Sequence, residues 1–295
     1  MSSDSSVDLG GSHPDRDLAG AFLALVRPRM LPSAAADVLA GAALGGGLAG
    51  VAPFSLLAAM LSGMLLYAGA LVWNDVCGIE EDGKHRPERP LPRGACTRAE
   101  AGLFGSVLLL LGILVHPSIL LAGGILVAAL AYDLLARRSP WTAALPAFCR
   151  LLLCLSGISV LDSPDLSFGV LSCLGAYAGY VVICVLHGRL EDRGMEAGGS
   201  PLGSSSLKKA ALVTVLIPGL FGKGWSWLGI LPLGFLLVRD FRETADPAAR
   251  TGALLRGLLR FPLILALAGG SLLASALLLI PGYAASWLFG KRGWS

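Results

Sequence analysis

Apolar residues recur in long tracts, not at the two- or 3.6-residue periods of a water-facing strand or helix. The tracts cover roughly residues 30–50, 53–73, 99–116, 118–136, 141–161, 166–187, 207–221, 225–239 and 257–280. Most approach the roughly 20 residues that a helix needs to cross a bilayer. They predict an all-α, polytopic membrane protein with about nine spans. The seventh and eighth tracts are short and broken by Gly and Pro (IPGLFGKGWSWLGILPLG), which suits tilted helices or one re-entrant pair. The aromatic end SWLFGKRGW suits a membrane interface. Residues 1–20 are Ser-, Gly- and Asp-rich and predict a disordered tail ahead of a membrane domain over 21–295. This tail has acidic residues and no basic cluster, unlike a cleaved signal peptide.

Basic residues fall on alternate connections. Arg27 and Arg29, then the run from Lys84 to Arg98, then Arg137 and Arg138, then Arg189 to Lys209, then Arg239 to Arg250 lie on one side. The other connections hold little beyond Lys223. By the positive-inside bias this predicts a cytoplasmic N-terminus in the inner membrane, with the charged loops cytoplasmic.

Composition sharpens the class. Only 15% of the 295 residues are Asp, Glu, Lys or Arg, against about 25% in a soluble domain. That excludes two soluble domains, a disordered chain and a nucleic-acid binder, despite the formal charge of +3. Cys77, Cys96, Cys149, Cys154, Cys173 and Cys184 form no C-x-x-C pair and read as small apolar residues. No nucleophile-elbow, phosphate-loop, zinc-protease or dinucleotide-binding motif stands in a fitting context.

The candidate chemistry gathers in two connections. After the second tract, Asn74, Asp75, Gly78 and Asp82 fall at i, i+1, i+4 and i+8, close to one helical face. Oxygen ligands at a membrane edge suit a hard divalent cation bridging to phosphate oxygens. Lys84, Arg86, Arg89 and Arg93 follow, the cations a diphosphate needs. Prolines at 87, 90 and 92 predict an extended basic strip. A solubilising cytoplasmic loop is the plainer alternative. After the sixth tract, Asp192 and Glu196 stand four apart beside Glu191, Arg189 and Arg193, and suit a second metal or a solvated charge pattern. His187 lies at that helix end. The two acidic segments suggest two parallel four-helix units facing one cavity.

Within the tracts, Asp37 and Arg150 are ionisable residues at membrane depth, where a polar cavity or a partner is required. Arg150 reads as an anion ligand or as a structural partner of Asp37 or a backbone carbonyl. Tyr67, Trp73, Tyr132, Tyr177 and Tyr180 are candidates to line an apolar cavity with π faces toward a cation, or simply to pack.

The segment from Asn74 to Gly94 (NDVCGIEEDGKHRPERPLPRG) resembles the first Asp-rich motif of the UbiA superfamily of intramembrane prenyltransferases. In that family the motif runs N-D-x-x-D-x-x-x-D and continues R-P-x-R-P-(L/I)-x-x-G. The stretch RPRMLPSAAADVLAGA from Arg27 resembles the family's first helix, and YDLLARRS from Tyr132 the tyrosine-then-basic end of its fourth. The resemblance implies a ring of nine helices around a lipid-accessible cavity, and transfer of a prenyl group from a prenyl diphosphate to a small-molecule acceptor, with Mg²⁺. It also implies that Asn74, Asp75 and Asp82 hold metal, and that Lys84, Arg86 and Arg89, with Arg137 or Arg138, bind diphosphate. Asp192 and Glu196 match a shifted, altered second motif, with Glu191 in an ambiguous register. Arg150 and Arg189 are further anion candidates. Gly78 stands where the family usually has Asp. These departures resemble the EboC-type branch and leave a second expectation open, a non-catalytic isoprenoid carrier. An ion-coupled transporter fits less well, because the acidic residues lie at the edge of the membrane, not at its midplane.

Overall fold

A computed structural model describes residues 17–49, 51–135, 140–192, 204–223, 231, 247–271 and 273–277. Among the described residues every regular element is helical. The helices are α1 (Leu18–Val26), α2 (Leu31–Gly45), α3 (Pro53–His85), α4 (Arg98–Val115), α5 (Ile119–Leu135), α6 (Ala144–Ile158), α7 (Phe168–Asp192), α8 (Ser204–Phe221) and α9 (Pro247–Ala268). A short 3₁₀ turn, Pro140–Ala143, leads into α6.

Among the described residues, four segments are long and apolar enough to cross a membrane: α3, α4, Trp141–Ile158 and the Phe168–Leu186 part of α7. Helix α5 is a shorter apolar helix. Their outward faces carry Leu103, Leu114, Leu120, Val127 and Phe168, each more than half exposed, as lipid-facing side chains should be. The expected eighth span lies almost wholly outside the described residues, as does the end of the ninth. Residues 1–16 of the expected tail also lie outside them. The tail does not run to residue 20: Asp17 accepts a hydrogen bond from the Gly20 amide at 2.8 Å and starts α1 at Leu18.

Helix α2 is the hub. It packs against α6, α9 and α3, and all its residues from Ser33 to Gly45 are buried. Small residues permit this. A Cβ on Gly41 would sit 2.0 Å from the Cys154 carbonyl oxygen, and one on Gly157 1.8 Å from that of Val38. The two backbones therefore cross almost in contact, as small residues allow in membranes. Gly157→Leu should separate α2 from α6 and cost about 3 kcal/mol or more, since the obstruction is backbone. A thermal melt of the detergent-solubilised variant would show it; an unchanged melting temperature would contradict the crossing.

Helix α3 departs most from expectation. The residues after 73 continue the helix for three more turns to His85. Its 33 residues span about 50 Å at 1.5 Å per residue, well beyond the ~30 Å hydrocarbon core. The basic strip that follows is not extended. Residues 86–96 fold into successive turns, with Arg86 N–H donating to Asp82 C=O at 2.7 Å and Ala95 N–H to Pro90 C=O at 2.9 Å. Proline fixes φ at a value that serves turns as well as extended chain. Thr97 and Glu100 then form a reciprocal cap that starts α4. No disulfide joins the six cysteines.

The opposite end of the molecule is closed by a clasp. Asp165, in the α6–α7 connection, donates its N–H to Gly45 C=O at 2.6 Å and pairs with Lys223 Nζ at 3.0 Å. The Lys223 N–H reaches Ala268 C=O at 2.8 Å. Hydrogen bonds from the Ser167 backbone, then from Lys223, hold the Asp165 carboxyl down at about 2.

Candidate active site

A cavity of about 340 Å³ opens between α3, α5, α6 and α7. Apolar side chains make most of its wall, among them Met30, Leu66, Leu71, Ile125 and Leu153. Polar groups mark its two ends. Arg27, Asn74, Tyr132 and Asp133 lie at one, and Tyr67 and Arg150 stand deeper. Helices α3 and α7 both line it, so the ends of these helices, where both acidic segments were expected, leave from one cavity.

At the first end, Asp75 is 3% exposed and accepts from two guanidinium groups. Arg27 Nη2 meets its Oδ1 in a short contact, and Arg89 Nη1 reaches the same oxygen at 3.1 Å. Arg89 Nη1 also meets Asp82 Oδ2 at 2.6 Å. One arginine thus bridges two carboxylates two helical turns apart on α3. This pairing draws the 86–96 turns back over the end of the helix. Lys84 and Arg86 are exposed nearby.

Arg27 follows the last residue of α1 and has φ 48°, the left-handed region that a non-glycine residue rarely occupies. Such a conformation costs on the order of 1 kcal/mol. It directs the side chain to a carboxylate 48 positions away. Arg27 appeared in the sequence only as a topogenic charge and part of the first-helix pattern. The positive φ had no sequence signal, because the residue is not glycine.

Asn74 does not join Asp75 and Asp82. Its Nδ2 donates to Asp133 Oδ1 on α5 at 2.9 Å. Asp133 Oδ2, shielded from solvent, has no hydrogen-bond partner among the described residues. An unmatched buried polar atom typically costs about 1–3 kcal/mol, so this is a costly arrangement kept at a cavity wall.

Deeper, Arg150 is 5% exposed and Asp37 fully buried. Arg150 Nη1 meets Asp37 Oδ2 at 2.7 Å, and Nη2 meets Ser33 Oγ at 2.9 Å. Tyr177 O–H donates to Asp37 Oδ1 at 2.6 Å. The Arg150 guanidinium also lies 5.0 Å from the Tyr67 ring centroid, over its face. Of the two roles open for Arg150, partnership with Asp37 is the one formed here, with one edge still on the cavity.

The aromatic candidates divide. Tyr67 and Tyr132 line the cavity. Tyr180 is fully buried against Phe261, with ring centroids 5.1 Å apart. Trp73 faces α4 across Gly105. Neither lines the cavity. Asp37 sits behind Arg150 and outside the lining. His187, Arg189, Glu191 and Asp192 lie on α7, and their side chains are outside the described residues. Arg137, Arg138 and Glu196 are outside altogether.

No three His, Cys, Asp or Glu side chains group to hold a metal ion among the described residues. Mg²⁺ usually takes one or two carboxylates and completes its shell with water and substrate phosphates. Asp75 and Asp82, both acidic and on one side of α3, fit that lesser demand. Arg89→Met tests the bridge. It removes the Nη1 donor that both carboxylates share, so the initial rate should fall about tenfold, with a thermal melt to establish that the variant is folded. An unchanged rate would remove Arg89 from the site.

A model of the UbiA prenyltransferase family matches residues 34–290. No curated protein matches the chain. Several solved structures share its fold. A UbiA homolog from Archaeoglobus fulgidus bound to DMAPP and Mg²⁺ is 15% identical, with TM-score 0.62 over 91% of this chain and 100% of that one. The same homolog bound to GPP and Mg²⁺ gives 16%, 0.61, 90% and 99%. Digeranylgeranylglyceryl phosphate synthase gives 17%, 0.59, 88% and 99%. At these identities the structures speak to the fold, whereas the family model spans most of the sequence. The chain is thus an integral membrane protein of the UbiA prenyltransferase family, and its activity is prenyl transfer.

Proposed function

We propose that the chain transfers a prenyl group from a prenyl diphosphate to a small-molecule acceptor, with Mg²⁺, inside the cavity between α3, α5, α6 and α7. The observation that carries this reading is the Arg27–Asp75–Arg89–Asp82 cluster at the polar end of an otherwise apolar cavity. The Archaeoglobus homolog bound to GPP or DMAPP with Mg²⁺ supports the donor class and the metal. Asp75 and Asp82 would hold the ion, and Asn74, Glu191, Asp192 and Glu196 would be its further ligands. Bound there, Mg²⁺ neutralises charge on the diphosphate leaving group.

The chain's own groups do the rest. Arg27 and Arg89 present guanidinium forks to the diphosphate oxygens, and the exposed Lys84 and Arg86 draw the anion in. The allylic C–O bond breaks with its electron pair leaving on the diphosphate. The acceptor's nucleophilic atom forms the new bond to that carbon and loses its proton. The apolar wall holds the prenyl chain and excludes water, which would otherwise capture the allylic carbon. The basic asymmetry of the connections supports a mouth and an N-terminal tail on the cytoplasmic side of the inner membrane.

The test uses the full chain in lipid nanodiscs with tritiated geranyl diphosphate and an organic extract of the source cells. Pyrophosphate release and a prenylated, extract-derived product, both requiring Mg²⁺, are expected. Saturable binding with neither release nor product would overturn the reading in favour of a carrier.

A further inference from the structure

Helix α1 contributes no side chain to the cavity wall, yet Arg27 follows its last residue. Its nine residues (LAGAFLALV) include no charged or polar side chain. One side is packed. Ala21 and Leu25 are buried with Val72 and Val76 of α3, and the Phe22 ring stacks on that of Phe104 on α4, with centroids 4.5 Å apart. The other side, which carries Ala19, Leu23 and Ala24, is exposed, Leu23 by 61%. A helix that is apolar all round belongs in a core or in lipid. At about 14 Å, α1 is too short to cross a ~30 Å hydrocarbon core, so it has to lie along the bilayer. Its neighbours set its height. Val72 and Val76 flank Asp75 on α3, and Phe104 stands beside the lipid-facing Leu103. The exposed side of α1 therefore runs on from the lipid-facing surface of α4 at the level of the cavity mouth. Two alanines and a leucine are too little for a stable contact between proteins, which takes roughly 20–30 residues a side.

We propose that the face of α1 carrying Ala19, Leu23 and Ala24 docks on the bilayer surface beside the cavity mouth, at the boundary of headgroups and acyl chains, and that this contact holds Arg27 on Asp75. An apolar helix face gains most of its membrane affinity at that depth. The link to the site is short. Arg27 N–H bonds to Ala24 C=O at 3.4 Å, and Met30 N–H to Arg27 C=O at 2.8 Å. The Arg27 backbone is thus tied to α1 on one side and to the start of α2 on the other. Lipid seats α1, and α1 aims Arg27. A change that lifts α1 toward water withdraws the guanidinium from Asp75. The docking stands on α1 and its neighbours alone, whereas its consequence for donor binding rests on the transfer reading.

The experiment places a nitroxide on Leu23→Cys in the full chain, held in phosphatidylcholine nanodiscs. Its collisions are measured with molecular oxygen, which partitions into lipid, and with a water-soluble nickel chelate. Leu103→Cys and Glu88→Cys, labelled alike, give the lipid-facing and water-facing references. The unsubstituted chain gives the background from its own cysteines. The Leu23 label should behave like the one at Leu103, with oxygen favoured. Nickel favoured, as at Glu88, would overturn the docking by putting this face in water. A label shielded from both reagents would also overturn it, because protein would then cover the face. Binding of tritiated geranyl diphosphate with Mg²⁺ tests the hold on Arg27. Leu23→Glu should weaken it about tenfold, the order of one charged hydrogen bond, while Leu23→Met binds as wild type does. The detergent melt of Leu23→Glu should match wild type, since Leu23 is on the unpacked side; if it melts low, Leu23→Gln takes its place with the same expectation. Unchanged donor binding in the polar variant would overturn the hold on Arg27. If wild type binds no geranyl diphosphate, the transfer reading falls, and the nitroxide measurement still decides the docking.

Discussion

Asp75→Asn is expected to lower prenyl transfer by about 100-fold or more, the usual consequence of removing one preorganised electrostatic group from a reacting centre. Asn keeps the shape of the side chain and loses its charge. Asp75 is the more deeply set of the two α3 carboxylates, and both Arg27 and Arg89 converge on its Oδ1. Without that charge the two guanidinium groups repel each other at the cavity mouth, and the proposed metal site loses a ligand. Asp82→Asn should do less, because its side chain is more exposed, 14% against 4%, and it is not the carboxylate on which both Arg27 and Arg89 converge. The check is an initial rate with tritiated geranyl diphosphate, paired with a thermal melt to establish that the variant is folded. Wild-type rates in both variants would defeat the proposed mechanism.

The second large effect concerns stability. Arg150→Met should cost about 3–5 kcal/mol, because it strands the Asp37 carboxylate in the interior. Among the described residues, Asp37 would keep the Tyr177 hydroxyl. The double variant Asp37→Leu/Arg150→Met removes both charges and should recover most of the loss, as apolar replacements of buried ion pairs commonly do. Melting temperatures of the two single variants and the double variant complete the cycle. Equal losses in single and double variants would mean that the pair does not act as a unit. The Arg150 edge lines the cavity beside Tyr67, so the recovered double variant also shows whether this edge contributes to turnover beyond holding the fold.

Some of this was legible in the chain and some was not, for physical reasons. Long apolar tracts give α3 to α7 plainly, because a bilayer leaves a segment little choice of structure. Asp75 and Asp82 stood out because they share a helical face with Asn74 and run into the basic residues from Lys84. Asp37 and Arg150 stood out because ionisable groups at membrane depth need a partner, and the fold joins them although 113 positions separate them. The continuation of α3 to His85 was hidden by its polar composition, which reads as loop when only hydropathy is followed. The turns over 86–96 were hidden because proline is compatible with both extended chain and turns. Arg27 and Asp133 stood inside recognisable stretches, but no role was assigned to either. The first depends on an unusual backbone angle and the second on which helix lies opposite. Tyr180 was offered to the cavity by residue type alone, and packing against Phe261 took it instead.

Because α3 runs unbroken from Pro53 to His85, the two carboxylates are fixed to the same rod that is rooted among the lipids. Neither can shift without the shaft shifting. Bilayer thickness and the tilt it imposes are therefore transmitted to the end of the cavity proposed for the diphosphate. Turnover should follow the acyl length of the host lipid.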